Sequence, residues 1–96
     1  MRIYDILLYT PLGKKKGELK AKIENGKLNG TLSLLGHTEP IEGSVDKKGN
    51  CTLKGKIVSL MKSIDFTADG TIDYEGIRLA LKGDAGYYEI MGQLRK

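Results

Sequence analysis

The sequence predicts an all-β protein, folded as a small closed eight-stranded antiparallel up-and-down (meander) barrel in a single domain of residues 1–96. Apolar and polar residues alternate along almost the whole chain, which is typical of strands with one buried face. The thirteen glycines and only two prolines favour many turns over long helices. An open sheet of this size would leave two bare edges and one unburied face, and closure into a barrel removes both.

The apolar residues of each predicted strand share one parity, which we expect to face the barrel interior. In chain order these inward sets are Tyr4, Ile6, Leu8; Leu19, Ala21, Ile23; Leu28, Leu32, Leu34; Ile41, Val45; Cys51, Leu53, Ile57; Ile64, Phe66, Ala68, Ile72; Ile77, Leu79, Leu81; and Tyr88, Ile90, Leu94. Asn25-Gly26 is the strongest turn, because this pair supplies the positive φ angles of a two-residue hairpin. Short connections imply that consecutive strands pair antiparallel.

An apolar-x-Gly-x-apolar pattern occurs five times and places five glycines on the inward parity. They are Gly30, Gly43, Gly55, Gly70 and Gly92. A glycine inside a strand marks either a sharp bend at a barrel corner or the close approach of another group. The five glycines therefore permit tight coiling of a small barrel or leave room for a ligand, and we expect tight coiling because it is the more common use.

The connections of a meander barrel go alternately to its two ends, and here the two ends differ in polarity. A polar end is predicted to carry the turns 24–27, 46–50 and 73–76. An apolar end is predicted to carry the loops 10–17, 34–39, 59–62 and 83–88. The residues that we predict to line a ligand-binding mouth at the apolar end are Leu12, Leu35, His37, Met61 and Tyr88. The same end could instead plug the barrel or dock another protein.

The function that these patterns favour is non-enzymatic binding of a small apolar or aromatic molecule at the apolar end. Tyr88 or His37 would offer the ligand a polar contact. The alternative is a homo-oligomerising interaction module with no small-molecule ligand. Barrel closure would bring together four outward residues of the first and last strands, which we predict as a homodimer interface and name the wall patch: Leu7, Tyr9, Tyr87 and Met91.

Other chemistry has little support in the sequence. His37 is the single histidine and Cys51 falls on the inward parity, so we expect no enzyme activity, no metal site and no cofactor. The net charge of +4 permits binding to anionic surfaces through Lys14–Lys16, predicted in a loop, as a third and weaker interpretation. The scattered lysines argue against nucleic-acid binding. The short apolar run near the start of the sequence predicts neither a membrane span nor a signal peptide, and we expect a cytoplasmic protein.

Four segments give the chain a resemblance to a known family. They are YDILLYTPLG (4–13), ENGKLNGTLSLLG (24–36), SIDFTADGTI (63–72) and YYEIMGQL (87–94). With them the chain resembles a family of small uncharacterised bacterial β-barrel domains, which occur alone or appended to larger enzymes. The resemblance implies a barrel similar in architecture to streptavidin and the lipocalins, and it implies no particular activity. The Thr-Pro-aliphatic-Gly loop that recurs in that family is present once, and the later positions read SLLG (33–36) and SLMK (59–62).

Overall fold

The structure, a computed structural model, describes residues 1–11, 13–58, 63–83 and 86–95. They form one closed barrel in which each strand pairs with its sequence neighbours and the last strand pairs with the first. The eight strands are β1 (Arg2–Thr10), β2 (Gly13–Glu24), β3 (Lys27–Leu34), β4 (His37–Val45), β5 (Asn50–Val58), β6 (Ser63–Ile72), β7 (Gly76–Gly83) and β8 (Gly86–Leu94). Every pairing is antiparallel, so the predicted fold is confirmed. The described part of the chain contains no helix that could cross a membrane.

The barrel interior is filled by the side chains that the alternation placed on the inward parity. All eight strands contribute buried apolar residues, and no charged or polar side chain of the described residues is buried with them. Tyr4, Leu28, Leu81 and Ile90 have no solvent exposure. Apolar residues nearer the strand ends are half-buried and pack against this core: Ile23, Val45, Tyr88 and Leu94.

Four of the five inward glycines are required by close approach of the neighbouring backbone. A β-carbon added at Gly30, Gly43 or Gly70 would lie 1.7, 1.9 or 1.8 Å from a carbonyl oxygen of the adjacent strand. At Gly92 the same atom would lie 2.7 Å from the Asp5 carbonyl oxygen. The strands coil so tightly at these points that no side chain fits. Gly55 is different, because its nearest neighbours are side-chain atoms.

The connections at the apolar end are shorter than the sequence suggested, and the predicted loop bounds 10–17, 34–39 and 83–88 were wrong. Thr10 pairs with Gly13, Leu34 with His37, and Gly83 with Gly86, so each connection is two residues long. Ladder hydrogen bonds join backbone groups and do not require apolar side chains, so the strands continue through polar residues. Lys14–Lys16 consequently lie in β2. They alternate between its two faces, which divides the predicted basic patch.

The polar end is tied shut by bonds between neighbouring hairpins. Backbone amides donate from Val45 to Gly26 over 2.8 Å, from Ile72 to Gly49 over 2.8 Å, and from Leu94 to Glu75 over 2.9 Å. The Tyr4 hydroxyl, at the base of the core, donates to the Asp73 carbonyl oxygen over 2.6 Å. Burial raises the pKa of this hydroxyl, although the hydrogen bond from Arg2 opposes the shift.

Candidate functional site

Leu35 is the most unusual of the predicted mouth residues. It occupies the first position of the two-residue turn between β3 and β4, with φ of 56°, and 42% of its surface is exposed. Asn25 holds the corresponding position at the polar end, with φ of 52°. Asparagine is tolerated in this left-handed region, whereas a leucine there costs about 1–2 kcal/mol of backbone strain. The apolar end therefore keeps an exposed leucine where the local backbone disfavours it.

The other predicted mouth residues divide between described and undescribed parts of the chain. His37 begins β4 opposite Leu34 and is exposed, while Tyr88 lies in β8 opposite Leu81 and is half-buried against the core. Both residues share the inward parity of their buried partners, so they lie around the rim of the apolar end. Leu12 and Met61 fall outside the described residues, and their place in the mouth stays a prediction.

The barrel wall is interrupted between β4 and β5. Only four register pairs join these strands, from Glu42 with Lys54 to Val45 with Cys51. Each of the other ladders has between six and nine pairs. Toward the apolar end, His37–Ile41 pair with β3 alone and Gly55–Val58 pair with β6 alone. We name this interruption the seam.

Proline explains the position of the seam. Pro40 has no backbone N–H, so it cannot donate a ladder hydrogen bond to a strand beside β4. It pairs with Thr31 of β3 and lies in the part of β4 that lacks β5 as a neighbour. A proline inside an apparent strand signals an edge. This is the signal that could have predicted the seam from the sequence.

A groove of about 970 Å³ lies along the seam and reaches the barrel core. Its lining includes Glu39, Pro40, Ile41, Gly55 and Phe66. Ile41 and Phe66 are both buried, and a β-carbon added at Gly55 would lie 2.7 Å from Ile41 Cγ2 and 3.0 Å from Phe66 Cζ. At this level the wall is therefore closed by side-chain contacts over a glycine. A side chain can change rotamer without breaking a ladder hydrogen bond, whereas a paired backbone cannot shift without breaking one.

Glu39 is the charged side chain that the structure adds to the site. It is half-buried, and its register partner Leu32 is buried, which places it on the inward parity of β4. No hydrogen bond or ion pair joins it to another described residue. By contrast the outward Glu42 forms an ion pair with Lys54 at 3.1 Å. The sequence pattern did not indicate Glu39, because residues 34–39 were predicted to form a loop.

The wall patch assembles partly as predicted. Leu7 and Met91 are register partners across the β1–β8 ladder, and the hydroxyl of Tyr87 donates to Glu89, the register partner of Tyr9, over 3.2 Å. Leu7, Tyr9 and Met91 are half-buried, whereas Tyr87 is 57% exposed. A groove of about 1110 Å³ is lined by Leu7, Tyr9 and Met91 of the patch, and charged residues of both signs line it as well, among them Lys16, Arg78, Asp5 and Glu75. The patch is thus less exposed and more charged at its margins than the alternation alone suggested.

Reactive chemistry has little material at these sites. Burial raises the pKa of the Cys51 thiol to about 11, and the nearby Asp69 and Asp46 carboxylates add to the shift, so the thiolate is scarce at neutral pH. The described residues contain no group of three or more side chains that could hold a metal ion. The arrangement at the apolar end and the seam is suited to binding: apolar surface, a few polar groups and a recess.

Comparisons with known proteins support the architecture. No protein-family model and no curated protein sequence matches the chain. Among solved structures, a redesigned β-barrel, mFAP1, bound to DFHBI, matches with a TM-score of 0.67 at 12% sequence identity, over 98% of this chain and 92% of that one. At this identity the likeness shows the fold alone. The resemblance to the bacterial domain family is supported only as a small β-barrel, and membership in that family stays a prediction.

Proposed function

We propose that this protein is a non-enzymatic binder of a small apolar or aromatic molecule, which it holds at the apolar end of its barrel. The observation that carries the proposal is Leu35, an exposed leucine in a left-handed turn conformation. Backbone strain that is not needed for the fold concentrates at functional sites. An apolar ligand lying against Leu35 would bury its exposed surface and offset that strain.

The difference between the two ends supports the same proposal. The polar end is held by bonds between adjacent hairpins, including Val45 with Gly26 and Leu94 with Glu75. At the apolar end the seam separates β4 from β5, and the rim carries His37, Glu39 and Tyr88 above an apolar core. A recess with apolar walls and a few convergent polar groups is the usual form of a small-molecule site. The structurally similar barrel mFAP1 binds DFHBI, a small aromatic molecule, which is consistent with this use of the architecture.

A native mass spectrum and a probe titration test the proposal. The freshly purified protein is weighed under native and denaturing conditions, and DFHBI and anilinonaphthalene sulfonate are titrated by fluorescence. We expect either a retained non-covalent mass or saturable binding of a probe. Leu35→Asp should weaken that binding by about fivefold to tenfold, because about 1 kcal/mol of leucine burial is lost and a charge must be desolvated.

Asn25→Asp is the matched control for the Leu35→Asp variant. It introduces the same charge at the same position of a two-residue turn, with nearly the same φ, at the polar end. The control should leave probe binding unchanged. The absence of both retained mass and probe binding at millimolar probe would refute the proposal, as would equal effects of the two substitutions.

Homodimerisation through the wall patch is a second candidate function. The direct pairing of Leu7 with Met91 and the exposure of Tyr87 favour it. If the patch is an interface, a Leu7→Lys, Met91→Lys double variant should halve the solution mass while the circular dichroism spectrum is retained. An unchanged mass from a folded double variant would exclude this interface.

A further inference from the structure

We propose that the ligand site is the seam itself and that its occupant is a flat aromatic molecule carrying a hydrogen-bond donor. The ring would enter the wall between β4 and β5, contact Phe66 over Gly55, and donate a hydrogen bond to Glu39. This inference rests on the proposed function and gives it a place and a ligand chemistry. The two can fail separately, as the experiment below allows.

The ladder at the seam has fewer register pairs than any other ladder between the described strands. Four register pairs hold β4 to β5, and none of them lies between Glu42 and the apolar end. The wall beyond that point is closed by the packing of Ile41 over Gly55. Opening the seam therefore breaks no ladder hydrogen bond.

The edges of the seam restrict what can occupy it. Unpaired strand edges can accept an extended peptide as an additional strand. Here one edge contains Pro40, which has no N–H, and the other carries the exposed Lys56. Proline and lysine are the residues with which proteins protect an edge against strand addition. The seam is thus better suited to a small molecule than to a peptide strand.

The space beside Gly55 restricts the shape of that molecule. Gly55 is the inward glycine whose space is taken by the tips of two side chains, Ile41 Cγ2 at 2.7 Å and Phe66 Cζ at 3.0 Å. A rotamer change of Ile41 would leave a narrow slot between the Gly55 backbone and the Phe66 ring. A planar ring fits such a slot and can contact Phe66 in an offset-stacked or edge-to-face geometry. A branched aliphatic molecule of equal area would be too thick for it.

The carboxylate of Glu39 determines which polar group the ligand should carry. Glu39 lines the groove, is half-buried, and its carboxylate forms no hydrogen bond or ion pair with another described residue. A carboxylate that has lost part of its solvation is stabilised by a hydrogen-bond donor. The nearby carboxylate of Glu42 already has Lys54. Asp65 also lines the groove, but it is exposed and lies on the outward parity of β6, so Glu39 is the inward carboxylate that is available to a ligand. An N–H donor on the aromatic ring, and most of all a cationic one, would match it.

The experiment maps binding residue by residue with three probes that share one ring. Naphthamidine, naphthamide and naphthoate are titrated into the uniformly ¹⁵N-labelled protein, and backbone amide shifts are recorded. We expect the largest shifts at Glu39, Ile41, Gly55 and Phe66, and affinities that fall in the order amidine, amide, carboxylate. Glu39→Gln should reduce the preference of amidine over carboxylate by about tenfold, the usual effect of losing one charged hydrogen bond. Glu24→Gln, the same change at an exposed, ion-paired glutamate of β2 that does not line the groove, should leave the preference intact.

A second pair of variants tests the slot without relying on charge. Ile41→Ala should strengthen naphthamide binding about threefold to tenfold, because the binding-competent open form no longer has to displace the isoleucine side chain. Ile72→Ala is the matched control, since Ile41 and Ile72 are each 3% exposed and Ile72 lies near the polar end. Both variants lose stability, but only the seam variant should gain affinity.

The outcomes separate this inference from the proposed function. Shifts confined to Leu35, His37 and Tyr88 would overturn the seam site and retain binding at the mouth. Shifts at Leu7 and Met91 would overturn both and favour a site on the outer wall. A peptide such as acetyl-Glu-Val-Glu-Val-Glu-amide that protects amides 55–58 from exchange, when the naphthyl probes do not bind, would make the seam a strand-docking edge. Absence of binding by every naphthyl probe would end this inference, and it would end the proposed function too if the protein also retains no mass and binds neither DFHBI nor anilinonaphthalene sulfonate.

Discussion

Replacing Gly70 with alanine should destabilise this barrel far more than replacing Gly55. A β-carbon at Gly70 would lie 1.8 Å from the Arg78 carbonyl oxygen, whereas ordinary contact begins at 3.4 Å, so β6 and β7 must separate locally by the difference, 1.6 Å. A separation of that size disrupts two or three ladder bonds worth about 1 kcal/mol each and leaves a packing defect. We expect a loss of about 3–4 kcal/mol, compared with a total stability of about 5–14 kcal/mol for a domain of this size.

Gly55→Ala is the control for that prediction. Its β-carbon would meet the tip of Ile41 at 2.7 Å, and a side chain can move by the missing 0.7 Å without a shift of the backbone. We expect a change of about 0–1 kcal/mol. Loss of glycine flexibility in the unfolded chain is the same for both variants, so it cancels in the comparison.

Urea denaturation followed by far-ultraviolet circular dichroism measures both variants. The midpoint should fall for Gly70→Ala, with little change in the slope, because a change of midpoint at constant slope reports stability. If the two variants differ by less than about 0.5 kcal/mol, which is the ordinary scatter of surface substitutions, tight coiling is not the reason for the inward glycines.

Three further predictions concern the polar end and the core. In the same assay Tyr4→Phe should lower the free energy of unfolding by about 1–2 kcal/mol, because the hydrogen bond to the Asp73 carbonyl oxygen is lost. The control, Tyr9→Phe on the outer wall, should lower it by less than about 0.5 kcal/mol. Equal losses of stability would show that the hydrogen bond contributes nothing. The backbone N–H groups of Gly76 and Glu75 lower the pKa of Asp73, so its contribution to stability is present above about pH 4 and is lost as the pH falls through the lower folded value. The stability difference between the native protein and Asp73→Asn should therefore shrink on acidification to about pH 2, and a difference that is constant with pH would contradict the assignment. Because the pKa of the Cys51 thiol is about 11, only about one thiol in a thousand is ionised at pH 8, and the native protein should react with iodoacetamide about a thousandfold more slowly than a fully ionised thiolate would. Urea should remove this protection. Rapid labelling of the native protein would place the thiol outside the core.

The fold was predictable because its signal is repeated in every strand. A shift by one residue would turn Leu19 and Ala21 of β2 outward, so alternation fixes both the buried face and the register. Asn25-Gly26 identified its hairpin for the same local reason. Leu35-Gly36 adopts the same kind of turn, but leucine is rare in the left-handed region, and the sequence therefore suggested a longer loop there.

The candidate site was less predictable, because it depends on where pairing stops. Alternation continues through Pro40 and Ile41 and gives no indication that the pairing of β4 with β5 stops at Glu42. Only the missing donor of the proline marks that point. Glu39 then becomes important through its half-burial beside the seam, a property of the assembled wall that its neighbours in the sequence do not reveal. The roles of Leu12 and Met61 stay predictions.

Closure of the barrel by β1 and β8 also determines how the chain must fold. The ladder joins Tyr4 to Leu94, a sequence separation of 90 residues, whereas every other ladder joins strands adjacent in sequence. Local hairpins can form in microseconds, but the last ladder has to overcome the loop-closure entropy of nearly the whole chain. All-β folds with such long-range pairing fold in milliseconds to seconds. Until β8 reaches β1, both strands present apolar, unpaired edges to other copies, so the yield of refolding should fall as protein concentration rises.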